Sequence, residues 1–472
     1  AAWKYNKFIL YVEHSFRFAG HPSIGSGEAR LTAAEIRSLD EHCRRLGIEL
    51  IPSLASFAHM GRILRRPEFR HLSTGGPEPD ILMPLAEASY DFLDALYQEY
   101  LPCFASNYFS VNCDETEALV RGRSAKLVKR LGMGELYLRH IFRLHQLVSG
   151  KHRRRMMIWG DILARHPEII PRLPRDIVIL PWGYWHRWSG RAVRPLVQAG
   201  LEVALCPGTN SWHALSPWVP VANVNIISAA RAAQESRALG LLVTDWGDGG
   251  HQQPLGLSEH AFALGAEAAW NAGRTPILQE ERIFCENVFG EGRLTAARLW
   301  RALGEANAAL AINTGGWDPP NQKSIHIDSW YTINFFLFFL EHSLEGRWFS
   351  QVRPSGVRRL ARLAAIARRC LDELEARAKG PVLLRRELSY SVGQLEHLAK
   401  RLTWMLELKR AKQRRSDLMR HAEWLVRDIR RLSKEFSELW RTRNKPLGQK
   451  TTLRLYSQAE RFYLGELRRL RA

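Results

Sequence analysis

The sequence predicts a TIM-type (β/α)8 barrel, α/β in class, lacking or truncated at its first strand and followed by an α-helical C-terminal region. Three observations carry that prediction. Short apolar runs of strand length alternate with helical stretches up to about residue 271. The strand signal then ceases, which divides the chain into residues 1–275 and a helical region over 276–472. Charged and aromatic side chains also collect just past the ends of the apolar runs, as catalytic groups do at the carboxyl ends of barrel strands.

The strands are expected at Phe8–Glu13, Ile48–Leu54, the segment through Val111 and Cys113, Met156–Trp159, Ile177–Pro181, Val203–Leu205 and Leu241–Thr244. Runs that are apolar on both faces and separated by helices imply a parallel sheet covered on both sides. Seven strands fall one short of a closed barrel, which leaves an open doubly wound sheet as the alternative. Thr32 with Glu35 three residues on is a capping box and opens the first helix. A second helix is expected over Ala86–Tyr100. In the C-terminal region, Leu395, Leu398, Leu402 and Met405 form one apolar helical stripe, and Leu418, Leu425, Ile429 and Leu432 another. Glu373 with Arg377, Glu375 with Lys379 and Glu423 with Arg427 stand four apart, the spacing of helix-surface ion pairs.

The 472 residues carry a net charge of +20, which resembles a nucleic-acid signature until it is divided along the chain. Residues 351–472 hold 31 Lys and Arg against 13 Asp and Glu, a balance of +18. The first 350 hold 37 against 35, or +2. The basic excess reads as a solvated helical face, and no nucleic-acid-binding motif accompanies it. Six cysteines are scattered without any C-x-x-C, and the histidines lack metal-ligand spacing, so no metal or other cofactor is expected. The cysteine usage suits the reduced thiols of a cytoplasmic protein. No segment approaches the ~20 apolar residues of a membrane span, and Phe335–Leu340 reads as a buried helical turn. The chain begins at Ala1 rather than Met, so residues upstream are expected.

Chemistry concentrates at Phe109–Leu119, FSVNCDETEAL, where Asp114 and Glu115 stand side by side as the strand pattern gives way. Carboxylates are costly to desolvate at the end of a buried strand unless the site uses them. The simpler alternative is that one of them caps a following helix. Other strand ends offer Glu13 and His14, His59, Trp159 with Asp161, Trp182 with Tyr184 and Trp185, Asn210 with Trp212, and Asp245 with Trp246, Asp248 and His251. Five of the 16 tryptophans thus follow strand ends, interleaved with Asp, Asn and His. Such a rim stacks on a flat apolar face while bonding hydroxyls at its edge, and sugars have that mixed character.

The order of KYNKFILYVEHSF, GIELIPSLASFAHMG, VNCDETEAL, MIWGDIL, ILPWGYW and LLVTDWGDGGH over roughly residues 1–310 resembles the catalytic domain of glycoside hydrolase family 20, the β-N-acetylhexosaminidases, and points to its divergent bacterial members. The resemblance implies that Glu115 is the general acid/base. It makes Asp114 the group that orients the substrate's 2-acetamido function, whose oxygen attacks the anomeric carbon. Trp159, Trp182 and Trp246 would then wall the acetamido group and the terminal sugar. His59 would stand behind the acid, and Asp245, less favourably Asp248, would bond distal hydroxyls. Asn210 and Trp212 occupy the strand where the family presents a Tyr. The family's first-strand Arg and its preceding β-sandwich have no counterpart here, and the glycines usual before the acidic pair are Asn112 and Cys113.

The expected activity is exo-hydrolysis of terminal β-linked GlcNAc or GalNAc from a glycan or glycoconjugate, with Glu115 held protonated by burial and by Asp114. The partner is this glycan, with no specific nucleic acid, no membrane span, and a homodimer as a plausible assembly through the helical region. Two alternatives differ in kind. A retaining glycosidase of other specificity would use Asp161 or Asp245 as nucleophile, and a non-catalytic carbohydrate-binding barrel would use neither.

Overall fold

Among the described residues, seven parallel strands follow one another in the order of the chain. The computed structural model describes all residues except 77–78, 185–186, 275, 313–332 and 411–412. The strands are β1 (Lys7–Leu10), β2 (Glu49–Pro52), β3 (Tyr108–Ser110), β4 (Arg155–Trp159), β5 (Val178–Leu180), β6 (Glu202–Leu205) and β7 (Gly240–Leu241). β1 pairs with β2, and β3 to β7 pair in succession, all in parallel. A bridge between Ser53 and Ser110 joins the two sets. An open doubly wound sheet reverses its order at a switch point. This order never reverses, so the sheet follows the barrel type and not the open alternative. Among the described residues no pairing joins β7 back to β1.

The chain forms two compact units. The first comprises Ala1–Trp182, Trp188–Cys206 and Ala229–Leu242, and so contains every strand. The helices introduced between its strands are α1 (Ala33–Arg45), α2 (Glu87–Tyr100), α3 (Met133–His145), α4 (Asp161–Arg165), α5 (Gly190–Gln198) and, from Ala229 on, α6 (Val219–Glu235). Thr32 caps α1 as its spacing requires: its hydroxyl accepts from Glu35 N at 3.2 Å, and Glu35 Oε2 accepts from Thr32 N at 2.8 Å. Helix α2 covers β3, with Tyr97 edge-on to Phe109 at 4.8 Å. Two hydroxyls of that buried face also hold the segment after β2. Tyr97 Oη donates to Ser56 Oγ at 2.6 Å, and Tyr100 Oη to Ser53 O at 3.2 Å. Burying a tyrosine ring is stabilising only if its hydroxyl finds such a partner.

The second unit comprises Gly183–Arg187, Pro207–Ser228 and Val243–Ala472. It carries α7 (Glu259–Asn271), α8 (Ile277–Phe284), α9 (Thr295–Ala306), α10 (Ile333–Phe339), α11 (Pro354–Ala376), α12 (Val382–Arg410), α13 (Arg415–Arg443) and α14 (Lys450–Arg471). Both predicted apolar stripes are buried, one on α12 and one on α13. The surface ion pairs agree less well. Glu373 meets Arg377 at 2.6 Å. Lys379, however, lies past the end of α11 and donates to Gly290 O at 2.9 Å. Glu423 takes Arg471 of α14 at 3.0 Å, a tertiary partner that sequence spacing does not show. Among the described residues no helix is long and apolar enough to cross a membrane.

β3 ends in a backbone that glycine would favour. Asn112, Cys113 and Glu115 all have left-handed φ, at +61°, +71° and +51°. Two of them stand where the resembled family has glycines. Asparagine tolerates this region and most other residues pay about 1–2 kcal/mol for it. The conformation is held from outside: Asn112 Oδ1 accepts from Ser53 Oγ at 2.8 Å and from Ser110 Oγ at 3.2 Å, and Asn112 O accepts from Trp159 N at 3.0 Å. A β-branched residue suits φ near +71° worst. Cys113→Val is therefore expected to unfold at lower denaturant than Cys113→Ala, by about 2 kcal/mol; equal stability of the two variants would contradict the strain.

Candidate active site

Four carboxylates and one imidazole gather where β1 to β4 end in the first unit. The segment after β2 turns through His59, whose φ is +60°. Asp80 fixes that turn, accepting from His59 N at 3.1 Å and from Gly61 N at 2.9 Å. His59 Nε2 is thereby set 3.3 Å from Asp114 Oδ2 and 3.4 Å from Glu115 Oε2. One imidazole thus touches both acids of the pair. Burial works against its charged form. The bond to Asp114 and the charges of Asp114, Glu115 and Glu13 outweigh that penalty and raise its pKa to about 10.

The remaining acids respond to the same crowding. Asp161, first residue of α4, accepts the Glu115 amide on Oδ2 at 3.0 Å. Burial, then the negative charge of Asp114, pushes its carboxyl above the usual carboxylate range, against the bonds from the main-chain amides of Glu115 and Asp161. Glu13 is raised too, chiefly by burial, with His59 and His14 opposing. Its Oε1 accepts from Tyr11 Oη at 3.2 Å. The arrangement can hold protons on some acids and charge on others within one small volume.

Of the other expected site residues in this unit, Trp159 is buried at the end of β4. Trp182 is half-buried, its backbone bridged to Cys206. The second unit brings a different group together. Trp246 Nε1 donates to Tyr184 Oη at 2.9 Å, and Trp212 packs edge-on against Tyr184 at 5.0 Å. A Cβ on Gly208 would stand 2.6 Å from the Trp212 ring and 2.8 Å from that of Tyr184, so only glycine admits this packing. Asp245 Oδ1 accepts from Thr209 Oγ1 at 2.5 Å and Ser258 Oγ at 2.8 Å, and burial lifts its pKa to about 6 against those two bonds. Asn210 is buried at φ +53°, its amide donating to Tyr184 O and Gly208 O, each at 3.1 Å. That donor end braces the backbone. Asp248 is exposed, and Trp185 lies outside the described residues.

Sequence reasoning gave no task to Glu13 or Tyr184, and gave Asp161 one only as the nucleophile of the alternative glycosidase, although each stands just past a strand end and was visible on that ground. Asp80 had no such signal, because it comes from a loop and its role is to bond main-chain amides.

Residues 15–237 match the family description "Glycosyl hydrolase family 20, catalytic domain". Hexosaminidase D from Bos taurus is 23% identical over 191 residues, covering 38% of this chain and 54% of that protein. Hexosaminidase D from Homo sapiens is 24% identical over 171 residues, covering 34% and 35%. The chain thus spans about half the length of the first of these relatives and about a third of the second. Among solved structures, the chitobiase of Flavobacterium johnsoniae aligns with 98% of this chain and 74% of its own, at a TM-score of 0.47 and 15% identity. The β-N-acetylhexosaminidase of Bacteroides fragilis aligns with 60% and 63%, at 0.46 and 16%. The matched segment contains His59, Asp114, Glu115 and Asp161, and over that segment the chain is similar to the catalytic domain of glycoside hydrolase family 20.

Proposed function

We propose that this protein is an exo-acting β-N-acetylhexosaminidase that releases terminal β-linked GlcNAc or GalNAc from a glycan or glycoconjugate by substrate-assisted retaining catalysis. The observation that carries the proposal is the adjacency of Asp114 and Glu115 on one strand end, both within 3.4 Å of His59 Nε2. Retaining enzymes with two independent carboxylates need them on opposite faces of the sugar, about 5–5.5 Å apart. Neighbouring residues on one strand do not reach around a ring in that way. A pair in which one acid donates the proton and the other steers an internal nucleophile does fit.

In this reading Glu115 protonates the glycosidic oxygen as the bond breaks. The substrate's acetamido oxygen attacks the anomeric carbon and gives a cyclic oxazolinium. Asp114 accepts the acetamido N–H and stabilises the positive charge that develops there. Glu115 then takes a proton from water as that water opens the ring. His59, charged and in reach of both acids, keeps them from repelling each other apart. Trp159 and Trp182 are our candidates for the acetamido walls. In the second unit, Tyr184, Trp212, Asp245 and Trp246 form a polar and aromatic group whose chemistry suits sugar hydroxyls. Asp161 is a poor nucleophile by comparison, since one oxygen is engaged by the Glu115 amide and burial favours its neutral form.

An aryl β-GlcNAc substrate should be turned over and the matching aryl β-glucoside should not, because the glucoside has no acetamido oxygen. Glu115→Gln and Asp114→Asn should each lower kcat by about a hundredfold or more, and retained turnover in both variants would refute the roles given to the pair. The charge on His59 supplies a pH signature. A pKa raised from 6.5 to about 10 means that its stabilising ion pairs are fully present below pH 6.5 and are lost as pH rises through about 10. The stability advantage of wild type over His59→Gln, followed by denaturant melts, should shrink across that window; an advantage independent of pH would show that His59 is not charged.

A further inference from the structure

The turn Trp159–Gly160–Asp161 is anchored on both sides before it delivers its carboxylate. Trp159 N donates to Asn112 O, and Gly160 N to Leu180 O, each at 3.0 Å. A Cβ on Gly160 would stand 3.0 Å from Pro181 Cα, so glycine is what lets the turn lie against the end of β5. Asp161 then reaches the end of β3, where its Oδ2 accepts the Glu115 amide at 3.0 Å.

That amide belongs to a residue at φ +51°. Left-handed backbone at a residue other than glycine persists only where surrounding contacts over-determine it. For Asn112 those contacts include two serine hydroxyls and the Trp159 amide, and for Glu115 they include Asp161. The other oxygen, Oδ1, is buried and has no hydrogen-bond partner. A buried carboxylate oxygen without a donor is costly if charged. The groups whose charge Asp161 feels include Asp114 and Glu115, and its own charge bears on Cys113 and Tyr137. None of these four is a cation. A neutral carboxylic acid avoids that charge penalty, and its carbonyl oxygen still accepts the Glu115 amide.

We propose that Asp161 is the positioning residue of the proton donor: it holds the main chain of Glu115 in its left-handed conformation through the amide, and its acceptor oxygen rather than its charge does so. The inference rests on the reading of Glu115 as general acid, but its geometry can be tested without activity. In the full chain labelled with [15N]glutamate, the Glu115 amide resonance is identified by its absence in Glu115→Gln. Asp161→Asn keeps an acceptor oxygen, so the resonance should stay in place. On aryl β-GlcNAc its kcat should stay within about threefold of wild type, with KM unchanged. Asp161→Ala should move the resonance and lower kcat by about a hundredfold while KM changes little, since small misplacements of a catalytic group act on the transition state. An unmoved resonance in Asp161→Ala would overturn the proposal, as would an Asp161→Asn that loses as much kcat as Asp161→Ala. If wild type does not hydrolyse the substrate, the catalytic reading fails by itself and the resonance alone decides whether Asp161 positions Glu115.

Discussion

Crowded negative charge is the constraint from which the site follows. Glu13, Asp114, Glu115 and Asp161 converge where β1 to β4 end, and two unit charges ~4 Å apart repel by about 4 kcal/mol at the effective dielectric of a protein surface. The structure answers with one imidazole in contact with Asp114 and Glu115, and with burial that favours the neutral forms of Glu13 and Asp161. A site that must keep some acids protonated near neutral pH can give a proton to a leaving group, and it can keep a neighbouring anion to meet developing positive charge. Acid and anion side by side are what substrate-assisted hydrolysis asks for.

Holding that charge in place costs backbone strain, and the fold supplies the ties. Asn112, Cys113, Glu115 and His59 all sit in the left-handed region. Each of the segments bearing them is bonded to a neighbour: Asn112 to Ser53, Ser110 and Trp159, Glu115 to Asp161, and His59 to Asp80. The anchoring residues lie at the ends of β2, β3 and β4 or in the loop that follows β2. Rigid parallel strands buried by helices such as α2 therefore do more than place the acids. They fix the acceptors that keep an unfavourable main chain from relaxing.

Much of the fold was legible because it rests on local chemistry. All seven strands fall within or beside their apolar runs, and Thr32 and Glu35 form their capping box. The stripes of α12 and α13 are buried as their spacing implies. Strand order was not legible, since a parallel run reads the same in a barrel and in an open sheet; the bridge from Ser53 to Ser110 and the unreversed succession decide it. The basic C-terminal region was legible in composition only. Arg443 pairs with buried Glu387 and Arg368 with Glu396, while fully buried Arg401 spends its donors on Phe338 O, Glu341 O and His342 Nδ1. Adjacent acids announce themselves at the site. A loop group that acts by accepting main-chain amides, as Asp80 does, has no pattern of its own in the sequence.

The most direct measurement of the central claim alters the nucleophile rather than the protein. In a series of aryl β-GlcNAc substrates whose acetamido methyl carries zero, one, two or three fluorines, the amide oxygen becomes steadily less basic while the leaving group stays the same. If that oxygen attacks the anomeric carbon beside Asp114 and Glu115, kcat/KM will fall progressively along the series, by orders of magnitude in all. A series that stays flat would mean that a protein group or water attacks instead, and would contradict the account.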